Sequence, residues 1–376
     1  MKTTKKQRIY PKVLVLIFGI LILMVSFGML NSNESLVDYS RIAKKAKEIN
    51  TSEKAPEKHD NKLVYVSGAL ESKELIGDTF LVAGKYISII RKVEMYSWKE
   101  HTTRKTGSNS NRGKEYKYRK VWASRPANSS KFKRPDSHFN PKKIIQNNEV
   151  KAKTANIGEF AVDMEFIELP EHDILAIGSN NAIERNELNV ANSKYLFKGN
   201  GTYDNPEIGD IRISYLVLKS PLKEITLFGK LDLTNQQIAP YYKGRTKFYR
   251  VLYGSKNQAI KDMGDEYIQR LWMFRGIGFL LLFFSLLMLL SSVGNYLNGF
   301  SVFGSTFRIK TGLFIFLLSL VLTTSIILLA NIALWGSYLV FVFFIFVMVG
   351  IFRFLKRTKR QRNERLLAEE KEKELA

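Results

Sequence analysis

The sequence predicts an integral membrane protein of four α-helical spans carrying one large β-rich (α+β) extracytoplasmic domain, in which two copies of a β unit are one reading. Three observations predict it. Four apolar runs, one near the start of the 376 residues and three near the end, are each roughly 17 to 22 residues long, enough to cross a hydrocarbon core as helices. Nearly all of the polar sequence lies between the first and second runs, and there the apolar residues alternate with period two, as half-buried strands require. Cationic residues precede the first run and occur in the connection after the second and in the tail after the fourth, the three segments a four-span threading puts on one side.

The N-terminus, 1–12, carries Lys2, Lys5, Lys6, Arg8 and Lys12 with no acidic residue before Glu34, which keeps it cytoplasmic. The first span is 13–30. Its length, and a Met29-Leu30-Asn31-Ser32 junction without a small-x-small cleavage site, favour a retained anchor over a signal peptide. Residues 31–61 are expected to be a juxtamembrane amphipathic helix and linker. Leu36, Tyr39, Ile42, Ala43, Ala46 and Ile49 recur at helical spacing, with Arg41, Lys44, Lys45 and Lys47 between them and Ser35 placed to cap. Such a helix either lies in the headgroup plane or packs on the domain.

The extracytoplasmic β-rich domain is 62–273. Leu63 to Ser67, Ala83 to Val93 and Glu94 to Trp98 have strand character; Val162, Met164 and Phe166 alternate with polar neighbours, as do Ile211, Ile213 and Tyr215. About Ile183 to Asn192 is the other helix candidate. A glycine followed by Ile-Gly-Asp occurs at Gly68 leading to Asp78 and at Gly201 leading to Asp210, which fits either an internal repeat or ordinary turn chemistry. The chain ends with a span at 274–294, a cytoplasmic loop at 295–312 holding Arg308 and Lys310, spans at 313–331 and 334–354, and a cytoplasmic basic tail at 355–376 that opens Lys356-Arg357. The membrane would be a bacterial inner membrane with a periplasmic domain, or the endoplasmic reticulum or inner nuclear membrane of a eukaryote.

Charge excludes one class of function and cysteine another. The formal net charge is +23, yet between Asn31 and Met273 there are 41 Lys and Arg against 30 Asp and Glu, while Arg91 to Lys143 alone holds 16 against 4. The surplus of the domain is therefore one patch. Facing away from the cytoplasm, it has no nucleic acid to meet; it either contacts anionic lipid headgroups or an acidic partner, or is a solvated loop. Arg91, Lys92, Trp98, Lys117, Arg119, Lys120, Lys131, Lys133 and Arg134 are the candidate contacts, and Thr102 to Lys114 reads as a hairpin tip. The absence of cysteine removes disulfides, thiolate metal sites and a catalytic thiol. His59, His101, His138 and His172 lie far apart, and no phosphate loop or nucleophile elbow is present, so no catalytic residue, metal or cofactor is assigned. Glu171-His172-Asp173 reads as a surface turn. A hydrolase would need His138, His172 and nearby acids to converge.

Val93-Glu94-Met95-Tyr96-Ser97-Trp98-Lys99-Glu100 resembles the Val-Glu-Met-Tyr-Gln-Trp-x-Glu signature of the transmembrane protein 43 family, also called LUMA. Tyr116-Lys117-Tyr118 with Trp122, Pro135 to His138 with Asn140-Pro141, Ile157-Gly158-x-Phe160, Ile208 to Ser214, and Trp272 with Arg275 and Gly276 continue the resemblance in order along the chain. It marks Glu94, Met95, Tyr96, Trp98, Trp122, His138, Asn140, Pro141, Gly158, Gly209, Asp210 and Arg212 as structural signature residues. Ser97 and Ser137 depart from the family pattern. The resemblance implies a large lumenal or periplasmic domain between one N-terminal and three C-terminal spans. Eukaryotic members resemble self-associating membrane organisers linked to emerin and lamins; a bacterial member would have no lamina to bind. The expected function is a non-enzymatic membrane-organising scaffold that self-associates as a homo-oligomer and contacts membrane lipids or unknown protein partners. The alternative is an ion channel or transporter subunit formed by the C-terminal spans, against which stands their poverty in ionisable residues. Thr323-Thr324-Ser325, at mid-depth, is expected to bond backbone carbonyls or a neighbouring helix.

Overall fold

The structure, a computed structural model, describes residues 10–50, 56–104, 114–184, 187–294, 305–332 and 342. The expected fourth span, apart from Val342, the basic tail, the first nine residues and most of the hairpin tip lie outside these. The chain divides into two compact units, Ser40–Lys261 and the pair Met1–Tyr39 with Asp262–Ala376.

The helices are α1 (Tyr10–Glu34), α2 (Tyr39–Ala43), α3 (Lys256–Gly294) and α4 (Ser305–Ile332). The strands of the first half are β1 (Lys47–Glu48), β2 (Leu63–Glu71), β3 (Ile76–Asp78), β4 (Leu81–Gly84), β5 (Tyr86–Arg104), β6 (Lys114–Ala123), β7 (Asn148–Lys151), β8 (Thr154–Ile157) and β9 (Phe160–Asp163). Those of the second are β10 (Asp173–Ile174), β11 (Asn189–Val190), β12 (Leu196–Lys198), β13 (Ile211–Lys219), β14 (Leu222–Asp232), β15 (Gln237–Ala239), β16 (Tyr241–Lys243), β17 (Thr246–Phe248) and β18 (Arg250–Tyr253).

In the β-rich unit, β2, β8, β9, β15 and β14 close into a five-stranded barrel, because β14 returns to pair with β2. Only β15 on β9 is parallel within the ring. Closure occupies one edge of β2 with β14, and on the other edge β8 covers only Leu70 and Glu71, which leaves Val64 and Tyr65 open to a further strand. Val64, Val66, Leu70, Ile157, Val162, Leu227, Leu231 and Ile238 fill the interior, and burying each such side chain contributes about 1.5–3 kcal/mol. Tyr249 donates its hydroxyl to the Ile238 carbonyl at 2.6 Å and accepts from the Asp163 N–H at 2.9 Å, which satisfies its one polar group inside that core.

A second sheet is built on β5, a strand of 19 residues. One edge of β5 pairs with β13, which carries β12 and then β11; the other pairs first with β7 and then with β6. The alternation of Ile211, Ile213, Tyr215 and Val217 places all four in the core with Ile89, Val93 and Met95 of β5. The two strands expected at Ala83 to Val93 and Glu94 to Trp98 are thus one, since no Gly or Pro interrupts Tyr86 to Arg104.

The structure departs from the sequence reading at 31–61, at Ile183 to Asn192 and at Val162 to Phe166, where β9 ends at Asp163 and Phe166 is exposed. The amphipathic helix of 31–61 shrinks to α2; the chain then forms β1, parallel to Val64 and Tyr65, and the Ile49 N–H donates to the Tyr65 carbonyl. The free edge of β2 captures this segment, and the apolar positions Ile42, Ala43, Ala46 and Ile49 are buried against protein rather than lying in a headgroup plane. The helix candidate at Ile183 to Asn192 contains β11 instead. Here Asn192 accepts from the N–H groups of Lys194 and Tyr195 and so fixes a tight turn into β12, a local bond that competes with helix. The segments of the suspected repeat have different settings: Gly68 lies inside β2, whereas Gly201 sits in a loop wrapped around the Asp210 carboxylate.

In the other unit, α1, α3 and α4 are helices long and apolar enough to cross a membrane. The span expected at 274–294 is the second half of α3, so the boundary at 273 falls within a continuous helix, and α4 begins inside the loop expected at 295–312. α1 and α3 run antiparallel, locked by Ser285 Oγ donating to the Gly19 carbonyl, Ser26 Oγ to Gly278 and Asn33 Nδ2 to Leu271, at 2.7–3.0 Å. Hydroxyls and glycines at such a contact let the backbones approach closely. At one end Arg275 grips Glu34 through two parallel hydrogen bonds of 2.8 and 2.7 Å. Ser319 and Ser325 bond carbonyls four residues back, while the buried Thr323 hydroxyl has no partner among the described residues.

Candidate functional site on the long hairpin

β5 and β6 form a hairpin of ten consecutive cross-strand pairs, from Met95↔Ala123 to Arg104↔Lys114. Its first problem is an orphaned edge. β13 stops opposite Met95, so the outward backbone groups of Tyr96 and Trp98 need other partners. Tyr96 exchanges hydrogen bonds with the Asp210 carbonyl and the Gly209 N–H at 2.8 and 2.9 Å. Trp98 is served by a side chain: Asn140 accepts from its N–H at 2.7 Å and donates to its carbonyl at 2.9 Å. A primary amide presents the same donor and acceptor as a peptide group, so buried Asn140 stands where the next strand would be. Gly209 has φ +102°, and a Cβ there would lie 3.0 Å from Pro141 Cγ. The backbone turn and the proline together require glycine.

The segment 127–144 folds over one face of the hairpin. His138 stacks on Tyr118 with ring centres 3.6 Å apart and meets Trp98 edge-on at 4.7 Å. Tyr118 donates to Glu100 at 2.6 Å, and the Lys133 N–H donates to the same oxygen at 2.7 Å. The Tyr118 hydroxyl, then the Lys133 amide, hold the Glu100 carboxyl below the usual carboxylate range. Lys143 reaches inward to the carbonyls of Val93 and Ser124, and burial lowers its pKa. On the neighbouring stretch Arg212 pairs with Glu94 at 2.7 Å and lies between the rings of Trp122 and Tyr195, 4.6 and 4.7 Å from their centres. Asp210 accepts from the N–H groups of Asn200, Gly201 and Glu207 and fixes the preceding loop.

The signature residues therefore converge. Glu94, Met95, Tyr96, Trp98, Trp122, His138, Asn140, Pro141, Gly209, Asp210 and Arg212 all belong to this hairpin, its clasp and the β13 end that abuts it; Met95 is buried beneath. Gly158 is elsewhere, in the β8–β9 turn with φ +59°.

The candidate contact residues separate into three groups. Arg91 is an internal residue: its side chain, 11% exposed, pairs at 2.6 Å with Asp78, itself 3% exposed, and this is a correction to its reading as a surface cation. Tyr215 and Asn148 donate to the same carboxylate at 2.7 and 3.2 Å. Burial pushes the Asp78 carboxyl up, but the hydrogen bonds from Tyr215 and Asn148 and the charge of Arg91 outweigh it and hold the pKa below 3.8. Trp98 is half-buried beneath His138, with the Lys120 ammonium 5.4 Å from its ring centre. Lys92, Lys117, Arg119, Lys120, Lys131, Lys133 and Arg134 are exposed. On the uncovered face of the hairpin Lys99 lies directly opposite Arg119, and His101 opposite Lys117. Like charges so paired destabilise a ladder.

Sequence reasoning missed the Asp78–Arg91–Tyr215 cluster, because nothing in separations of 13 and 137 residues from Asp78 announces a contact. It also missed Phe139 and Ile144, 67% and 68% exposed on the clasp. Chemically, Glu94, Glu100, Asp210 and His138 are each engaged by a side chain or a backbone group, and Asp136 is exposed. His172 has different neighbours, Pro170, Glu149, Lys151 and Asp173. Among the described residues no group of three or more His, Asp or Glu could hold a metal ion.

The sequence model of a protein family described as Transmembrane protein 43 matches residues 95–334. No curated protein and no solved structure matches the chain.

Proposed function

The chain belongs to the transmembrane protein 43 family, and we propose that it is a non-enzymatic membrane-organising scaffold that self-associates and meets lipid headgroups or membrane partners through its β-rich unit. One observation carries this reading: Glu94, Glu100, Asp210 and Arg212 hold the signature region together, while Lys92, Lys117, Arg119, Lys120, Lys131, Lys133 and Arg134 are exposed. A site built to react keeps an acid or base free to exchange protons with a substrate. A site built to present a surface engages such groups internally, as Glu94, Glu100 and Asp210 are engaged here.

The antiparallel α1–α3 pair supports the threading that this role needs. Glu34, at the end of α1, and Arg275, in α3, meet at one level, so the chain leaves and re-enters the helical unit at the same end. With the cationic N-terminus cytoplasmic, the β-rich unit lies on the far side; a fourth span at 334–354 then returns the basic tail to the cytoplasm.

Purification of the full chain in a mild detergent, followed by chemical crosslinking and analysis of bound lipid, tests the proposal. Oligomers carrying anionic lipid are expected; monomers without bound lipid would overturn it. The Thr323 hydroxyl, buried in α4 with no partner among the described residues, favours a second reading in which the helices form an ion path. Absence of ion flux from proteoliposomes containing the purified chain would remove it.

A further inference from the structure

The clasp contains an apolar side chain whose exposure is enforced rather than incidental. Phe139 sits between two residues that are both anchored inward: His138, stacked on Tyr118, and Asn140, hydrogen-bonded to both backbone groups of Trp98. The Asn140 N–H is further fixed to Ser129 Oγ at 3.0 Å, and its amide to the Ala127 carbonyl at 3.0 Å. Successive residues held in this way leave Phe139 no inward direction, and it stands 67% exposed. Ile144 is 68% exposed just beyond Lys143, which is itself pinned inward. Single exposed apolar residues are ordinary on a protein surface, and Leu75, Ile174 and Tyr242 are such cases. Phe139 differs in its company. Lys131, Lys133, Arg134 and Lys142 are exposed on the same segment, and Asp136 is the one exposed acid between them.

An exposed aromatic on an anchored loop whose segment also carries four exposed cations is complementary to an anionic bilayer, where phosphates meet the charges and the ring enters the acyl boundary. We infer that the clasp is an interfacial wedge: Phe139, with Ile144, inserts into the anionic leaflet of the membrane that holds the chain's own apolar helices, and Lys131, Lys133, Arg134 and Lys142 bind its headgroups. Tethering makes the contact efficient, since helices at both ends of the β-rich unit keep it at high effective concentration near that surface. The inference deepens the lipid contact in the proposed function and rests on that reading.

The chain's lack of cysteine permits a direct test. F139C, carrying a fluorophore on the sole thiol of the full-length protein, is reconstituted into nanodiscs of phosphatidylcholine with or without phosphatidylglycerol, each doped with a lipid bearing a quencher in its acyl chain. Y242C, exposed on the β16–β17 hairpin, is the control. The label at 139 is expected to be quenched in the anionic discs, to lose that quenching in phosphatidylcholine alone, and to lose it again when Lys131, Lys133 and Arg134 are changed together to Glu; the label at 242 should stay unquenched throughout. Equal quenching at 139 and 242, or equal quenching in both lipids, would overturn the wedge. A label already shielded in lipid-free detergent would overturn it too, by identifying a contact between protein copies. Crosslinking the same samples separates the two proposals: oligomers that retain lipid but show no quenching at 139 refute the wedge and leave the scaffold standing.

Discussion

Asn140 shows how one side chain can finish a sheet. Because it supplies both the donor and the acceptor that Trp98 lacks, Asn140→Ala exposes two backbone groups at once and should cost about 2–3 kcal/mol. Asn140→Asp retains the acceptor only and should also destabilise, since its charge faces the Trp98 carbonyl. Thermal unfolding of the full chain in detergent, followed by tryptophan fluorescence, measures both; an unchanged transition in Asn140→Ala would refute this account of the clasp. Asp78 gives a pH dependence. Its folded pKa lies below the unfolded value, so its stabilisation is fully present above about pH 4 and is lost as pH falls through the folded pKa. Arg91→Met should be worse than the loss of the pair, because it strands a buried carboxylate, at about 3–5 kcal/mol. Asp78→Asn in that background should recover part of the loss, and the acid limb of the stability profile should flatten; a double variant no better than Arg91→Met alone would count against the ion pair. Charge counting had assigned Arg91 to the surface patch, and it fails there for a physical reason. A sum over sequence cannot see that β3 returns Asp78 to the underside of β5.

At the scale of elements, period-two alternation held where a strand had a partner along its length and failed at Val162 to Phe166, where β9 ends at Asp163 and Phe166 is exposed. Ile211, Ile213 and Tyr215 are core residues as their spacing demands. The apolar spacing of 36–49 was equally regular, yet a free barrel edge outcompeted the helix there. The uncovered face of the hairpin is a different matter, because its pairs are unfavourable by construction. Arg119→Glu turns the Lys99 pair from repulsive to attractive and should stabilise the hairpin by about 0.5 kcal/mol. Hydrogen exchange of the β5 and β6 amides reads this locally; faster exchange in the variant would show that Arg119 is held by something stronger than its cross-strand neighbour. The α1–α3 contact makes the opposite prediction. A Cβ on Gly278 would lie 2.6 Å from the fully buried Leu30 side chain, so Gly278→Leu should force the helices apart and lower the midpoint of thermal unfolding. Gly276, where a Cβ meets nothing within 4 Å, is the control position.

For the whole molecule, the apolar runs made the membrane legible, since length and composition alone identify α1, α3 and α4 as fit to cross it. The hairpin clasp was visible only as a resemblance in residue order, because Trp98, Asn140 and Gly209 are joined by loop geometry that no periodicity encodes. What joins the two levels is the threading. Glu34 and Arg275 form a two-bond pair in which the carboxylate side chain is only 3% exposed, and this fixes the exit of α1 beside the entry of the apolar half of α3. Both connections to the β-rich unit then leave the helical unit at one end, and the proposed orientation assigns that end to the non-cytoplasmic side. With no native cysteine, a membrane-impermeant maleimide reports the sidedness of any introduced thiol. Y242C should label in intact cells, Q361C in the basic tail only after permeabilisation, and R275L should lower the yield of Y242C protein by loosening the pair that holds the two helices in register. Labelling of Q361C in intact cells alongside Y242C would mean that the 334–354 run does not cross, leaving three spans and a tail on the same side as the β-rich unit. Labelling of Y242C only after permeabilisation would invert the protein, and with it the leaflet that the proposed wedge at Phe139 would meet.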